Sequence, residues 1–195
     1  MTIAFVLGNG ISRQSVSLQA LSEQGKIYGC NALYREFTPE VLVSTDRPIA
    51  THIQESGYSM NNRFYTRRPI AGLGAVQVPT PYYGYSSGPI AVSIAASDGN
   101  QRVYLVGFDM GPTIENRFNN LYAGTEFYKA QGANPTFTGN WVKQMIRVIT
   151  DNKLTNFIRV CGETTAVITE FDSLANLFHM DLVTFQTCIN SKKDL

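Results

Sequence analysis

The sequence predicts an α/β protein, a Rossmann-like three-layer sandwich with a mostly parallel sheet, and three observations carry that expectation. Apolar runs of about five residues close on Gly, Asn or Asp at several places, the pattern of strands buried on both faces. Stretches with helical spacing or helix-start chemistry separate these runs, an alternation that yields βα units. The chain has 195 residues, 44% of them hydrophobic and only 16% charged, which suffices for one core and excludes disorder driven by charge. Residues 1–190 are therefore read as one domain and 191–195 as a short tail.

The first element is Ile3-Ala-Phe-Val-Leu7, an apolar run that ends in the turn Gly8-Asn9-Gly10. Residues 15–24 carry Val16, Leu18 and Leu21 in a polar background and read as a short helix stopped by Gly25. Lys26-Ile-Tyr-Gly-Cys30 is the second strand, closing on Asn31, and residues 41–45 are the third, closing on Asp46. A helix over 49–55 comes next, followed by a Pro-, Gly- and Tyr-rich stretch over 57–85 in which Phe64-Tyr65 and Ala75-Val-Gln-Val78 suit edge strands.

Ser87 can cap an alanine-rich helix, with Pro89 near its start where an amide hydrogen is dispensable. Arg102-Val-Tyr-Leu-Val106 is a further strand, closing on Gly107-Phe108-Asp109. Residues 110–140 form a polar, aromatic loop too long for a plain connection, and such loops usually carry function. A helix over 139–152 has Trp141, Met145, Val148 and Ile149 on one face. A strand over 156–160, a short helix over 172–178 and a terminal strand over 182–189 complete the expected order.

Composition narrows the function. A net charge of +1 offers no field for steering a polyanion, so nucleic acid is not the expected partner. Cys30, Cys161 and Cys188 match neither a metal knuckle nor a disulfide framework, which argues for a reducing compartment and against zinc. The apolar N-terminal run is too short for a signal peptide, and no segment is long enough to span a membrane, so a soluble cytoplasmic protein is expected. The Tyr-rich loops leave room for a homo-oligomer.

Ligands of open α/β sheets sit outside the carboxyl ends of the strands. The expected strand ends carry Asn9, Gly10, Asn31, Asp46 and Asp109, and the helix start at Ser87-Gly88 can face them. Glycine lets a backbone approach a ligand closely, and helix-start amides attract phosphate, so a nucleotide is the natural candidate; a tight turn without ligand is the bland alternative. A dinucleotide fingerprint would need glycine where Arg13 stands, and its ribose-binding acid is replaced by Asn31, which disfavours NAD and FAD. No Walker motif or nucleophile elbow is present. Asp46 and Asp109 could share Mg²⁺, although a turn or cap role for Asp109 is commoner, and the nucleotide reading needs no metal or other cofactor. Arg67-Arg68 could meet a phosphate, a solvated pair being the commoner case.

The segments Phe5-Val-Leu-Gly-Asn-Gly-Ile-Ser12, Tyr28-Gly-Cys-Asn-Ala-Leu-Tyr34, Ser86-Ser-Gly88 and Val103-Tyr-Leu-Val-Gly-Phe-Asp109 together resemble the ordered landmarks of bacterial CMP-sialic-acid-dependent sialyltransferases. Small tailed-phage proteins with the same core are similar. The resemblance implies nucleotide contacts from Asn9, Gly10, Asn31, Ser87 and Gly88, with Asp46 where the family has Asn. It also implies a sugar transfer from a nucleotide donor with inversion, and places Tyr122 and Tyr128 as possible phosphate contacts. The family's general-base His has no counterpart within 123–140; His52 is expected on a surface helix and His179 as a packed or half-buried ring near the C-terminus. A noncatalytic nucleotide-binding or structural phage protein is the alternative.

Overall fold

Strand β1 (Ile3–Leu7) sends Ala4 and Val6 into one hydrophobic core and Phe5 and Leu7 into another. A strand does this when both faces are covered, because successive side chains point to opposite sides. The computed structural model describes residues 2–191. Among them one sheet of eight strands runs in the order β5-β4-β3-β2-β1-β6-β7-β8, built from β2 (Lys26–Cys30), β3 (Val41–Val43), β4 (Phe64–Thr66), β5 (Val76–Gln77), β6 (Arg102–Val106), β7 (Asn156–Cys161) and β8 (Leu177–Asp181). Every neighbouring pair is parallel.

Helices cover both faces. Helix α4 (Ser87–Ser97) is buried along almost its whole length, and with Met145, Val148 and Ile149 of α5 (Gly139–Asp151) it fills one side. On the other side lie Leu21 of α1 (Leu18–Ser22), Ile49 and Ile53 of α2 (Arg47–Glu55), and Phe185 and Ile189 of α6 (Leu182–Ser191), while α3 (Tyr58–Asn61) is a single turn after α2. The protein is thus the three-layer α/β sandwich expected. No described helix is long and apolar enough to cross a membrane.

Chain order positions the site. From β1 the chain steps outward through β2, β3, β4 and β5, then α4 carries it back to β6 on the opposite flank of β1. The direction of winding reverses between β1 and β6, and a reversal of this kind opens a crevice at the carboxyl ends of the strands.

Three expectations change. The segment over 182–189 is helix rather than strand, and the last strand is β8, just before it. Asp181 accepts a hydrogen bond from the Thr184 amide at 2.8 Å, a helix cap, and Phe185 and Ile189 recur at helical spacing on the core face. The β-branched Val183, Thr184 and Thr187 mimic strand propensity, yet Val183 is exposed and sits on the solvent side. The helix expected over 15–24 shrinks to α1, preceded by a 3₁₀ turn, Ile11–Ser15. The short helix expected over 172–178 is a 3₁₀ turn at Thr169–Ser173. Ser191 belongs to α6, and residues 192–195 of the expected tail lie outside the described residues.

Candidate functional site

The crevice holds a cavity of about 420 Å³ lined by Asn9, Gly10, Asn31, Asp46, Ser87, Gly88, Asp109 and Tyr128 among others. Every residue singled out at a strand end or helix start therefore borders one space. Tyr122 is not in that lining, although its ring lies 5.5 Å from that of Tyr128.

Its two walls differ in chemistry. On the β1/β6 side, Gly10 and Gly107 let two turns press together: the Gly10 amide reaches the Gly107 carbonyl at 2.9 Å, and Gly107 adopts φ 75°, a left-handed conformation that suits glycine. The Asp109 carboxylate, 2% exposed, accepts from the Ser12 amide at 3.1 Å, Asn119 Nδ2 at 3.1 Å, Thr164 Oγ1 at 2.8 Å and Thr165 Oγ1 at 3.4 Å, and also from the Ser12 hydroxyl. These bonds use the carboxylate's acceptor capacity, which amounts to roughly four lone-pair sites. The Ile11 amide is taken by Asn119 Oδ1 at 2.9 Å. A phosphate approaching the first turn thus finds two amides of that turn already held by the protein.

Arginines brace this wall from behind. Arg159, 2% exposed, donates to the carbonyls of Phe108, Asp109 and Ala166 and stacks on Phe171. Arg13, the residue that breaks the dinucleotide fingerprint, donates to the Gly8 carbonyl at 2.7 Å and to Glu36 Oε1 at 2.9 Å. Tyr122 completes the cluster, donating its hydroxyl to Glu36 and accepting from Arg13 at 2.8 Å. Burial pushes the Glu36 carboxyl up, but hydrogen bonds from Tyr122 and Arg13 outweigh it and hold the group below its ordinary value. Tyr122 is thereby a brace between the long loop and the β1 turn.

The β3/α4 side is open. Asn31 adopts φ 53°, a left-handed conformation that Asn tolerates. Its Oδ1 accepts from Ser44 Oγ at 3.0 Å and from Ser87 Oγ at 3.1 Å. Because Ser87 Oγ itself accepts from the Thr45 amide at 3.0 Å, its own proton is free to go to Asn31. Asn31 is thus fixed with its oxygen toward the protein, and Nδ2 has no partner among the described residues.

Ser87 was expected to cap α4; Ser86 occupies that place, without a side-chain cap, and its amide goes to Gln144 Oε1 at 2.8 Å. Ser87 and Gly88, the first two helical residues, have no acceptor for their amides among the described residues, as the first turn of a helix leaves them. Asp46 precedes α2 but its carboxylate does not cap that helix, and it has no partner among the described residues.

The loop over 110–138 closes the top of the cavity. The Leu121 amide donates to the Asn9 carbonyl at 2.8 Å, and the Tyr128 hydroxyl accepts from the Ala32 amide at 3.2 Å and from Asn9 Nδ2 at 3.5 Å. Burial pushes the Tyr128 hydroxyl above its ordinary range, and it pushes the Cys30 thiol, also in the lining, up to about 12, so both stay neutral. Sequence reasoning missed Lys129, Trp141 and Phe127 as lining residues. Lys129, over the Phe118 ring, is the cation among them. Trp141 was read only as a core residue of its helix; its place in the first turn of α5, nearest the loop, was the available signal.

The remaining candidates lie elsewhere. His52 is on α2, exposed, against the Phe127 ring. His179 is exposed on the edge strand β8 rather than packed or half-buried, with Nδ1 3.6 Å from Cys161 Sγ. Arg67 donates to the carbonyls of Tyr83, Gly84 and Tyr85, holding the segment that leads into α4. Among the described residues no three His, Cys, Asp or Glu side chains gather as a metal site. The chain matches no family model, no curated protein and no solved structure.

Proposed function

We propose that this protein binds a nucleotide or nucleotide sugar in the cavity between β1, β3, β6 and α4. One observation carries the reading: Ser87 and Gly88, whose amides have no acceptor among the described residues, and Asn31, whose fixed Nδ2 has no partner there, all line a space of ligand size, about 420 Å³. Helix-start amides with a positive dipole end and a nearby neutral donor suit a phosphate, and Lys129 adds a charge from the loop above. Phe127, Trp141 and Tyr128 supply ring faces for a base or sugar.

The resemblance to sialyltransferases favours a cytidine nucleotide and a transfer in which the bond from the sugar's anomeric carbon to the phosphate oxygen breaks as an acceptor hydroxyl attacks. Negative charge then grows on the departing phosphate, where the α4 amides and Lys129 would meet it. The base for the acceptor's proton is unassigned, since both histidines lie outside the lining. That observation favours a second reading, a binder without transferase activity, in which the same contacts hold a nucleotide and no bond is broken.

A thermal-shift panel of CMP, CDP, UDP, GDP and cyclic nucleotides tests the binding. A ligand at 100 times its dissociation constant adds about 2.7 kcal/mol, which raises the midpoint by several degrees. The absence of a shift with every nucleotide would sink both readings. Release of CMP from a donor sugar mixed with the protein separates catalyst from binder.

A further inference from the structure

We infer that Asp46 is a specificity residue that selects ribonucleotides over deoxyribonucleotides by accepting hydrogen bonds from the ribose hydroxyls; the inference rests on the nucleotide reading of the cavity. Three observations lead there. Asp46 stands at the start of α2, where an Asp side chain ordinarily accepts from the second or third amide of the helix; Pro48 has no amide hydrogen to offer and the Ile49 amide makes no bond to it, so the carboxylate is not used as a cap. Its carboxylate is exposed and borders the cavity, with no other protein partner among the described residues. It is also placed beside the proposed phosphate position, since the preceding residue, Thr45, donates its amide to Ser87 Oγ at 3.0 Å at the start of α4.

The complement of this arrangement is a ligand with an anion at α4 and hydrogen-bond donors a few ångströms away. A carboxylate repels a second phosphate and accepts from hydroxyls, so the group facing Asp46 is an unphosphorylated diol. A nucleoside 5′-monophosphate carries both features on one furanose. The other acid in the lining, Asp109, cannot do this, because its oxygens are already used by Ser12, Asn119, Thr164 and Thr165.

The test is calorimetric titration of the protein with matched pairs of 5′-monophosphates, each ribonucleotide beside its 2′-deoxy and 3′-deoxy forms, for cytosine, uracil, adenine and guanine. The ribonucleotide of the preferred base is expected to bind at least about tenfold more tightly than its deoxy forms, since a site built to bond a hydroxyl rejects the analogue that lacks it. In Asp46→Ala that ratio is expected to collapse towards unity, with Asp46→Asn between the two. Circular dichroism and melting of both variants establish that they fold. Equal affinities for ribo and deoxy forms, or a preference that survives in Asp46→Ala, overturn the inference while leaving the nucleotide reading standing. Binding by none of the nucleotides overturns that reading and the inference with it.

Discussion

The two walls of the cavity use similar residues for opposite ends. On the β1/β6 wall an aspartate, an asparagine and a glycine turn satisfy one another: Asp109 and Asn119 occupy the amides of Ile11 and Ser12, and Arg13 and Arg159 hold the carbonyls behind them. On the β3/α4 wall an aspartate, an asparagine and a glycine helix start leave a carboxylate, an Nδ2 and two amides without a hydrogen-bond partner among the described residues. A strand-end acid or a glycine turn is a ligand site only when its hydrogen bonds are not already spent inside the protein. By that criterion Asp109 and the amides of Ile11 and Ser12 are scaffold, while the Asn9 amide of the same turn has no acceptor among the described residues, and the second wall is the binding face we propose.

The largest expected effect falls on the scaffold. Asp109→Ala leaves the Ser12 amide and the Asn119 and Thr164 donors without their buried acceptor, and chemical denaturation is expected to show a loss of about 4 kcal/mol. A loss below about 1 kcal/mol would mean that this wall does not hold the fold. Gly10→Ala comes next, since a Cβ there would lie 2.6 Å from Asp109 Oδ2 and 2.7 Å from the Gly107 carbonyl. Overpacking of this kind costs about 3 kcal/mol, and a melting point within a degree of wild type would contradict the close approach of the two turns.

On the binding face, stability and affinity should separate. Gly88→Asp puts a fixed anion in the first turn of α4, where its charge suits the helix dipole but its Cβ meets the Phe108 ring at 3.3 Å, so the ring must shift and stability is expected to fall by about 1 kcal/mol. It is expected to lower CMP affinity at least about tenfold, or 1.4 kcal/mol. Unchanged affinity would remove the phosphate from α4.

The smallest effect concerns the brace beyond the scaffold wall. Glu36 has a folded pKa below its ordinary 4.5, so the folded state holds its proton less tightly than the unfolded chain does. Its stabilising contribution is therefore present above pH 4.5 and is lost as pH falls through the lower folded value. Because the side chain is 44% exposed, Glu36→Gln is expected to cost less than about 1 kcal/mol at neutral pH and to flatten the acid limb of the stability profile. An acid limb identical to wild type would show that other carboxylates govern it.

Much of the architecture was legible because burial on both faces writes a continuous apolar run: β1, β2 and β6 stand where Ile3–Leu7, Lys26–Cys30 and Arg102–Val106 announced them. The C-terminal strand and helix were exchanged because Val183, Thr184 and Thr187 carry strand propensity while the deciding contacts, Phe185 and Ile189 on the core, are tertiary. Asn9, Asn31, Asp46 and Ser87 were legible as cavity residues because strand ends converge in a parallel sheet. Which of them had hydrogen bonds to spare was not, since Asp109 is satisfied by Thr164 and Thr165 from a loop 55 and 56 residues away. Lys129 and Trp141 escaped for the same reason: their place depends on how the long loop folds back over the crevice.

The most direct test is a crystal structure of the protein with the nucleotide that raises its melting point most. The phosphate is expected within about 3 Å of the Ser87 and Gly88 amides, with the Asp109 and Asn119 hydrogen bonds to Ser12 and Ile11 intact. A phosphate seated instead on the amides of the first turn, with Asp109 and Asn119 displaced, would contradict the assignment of the two walls.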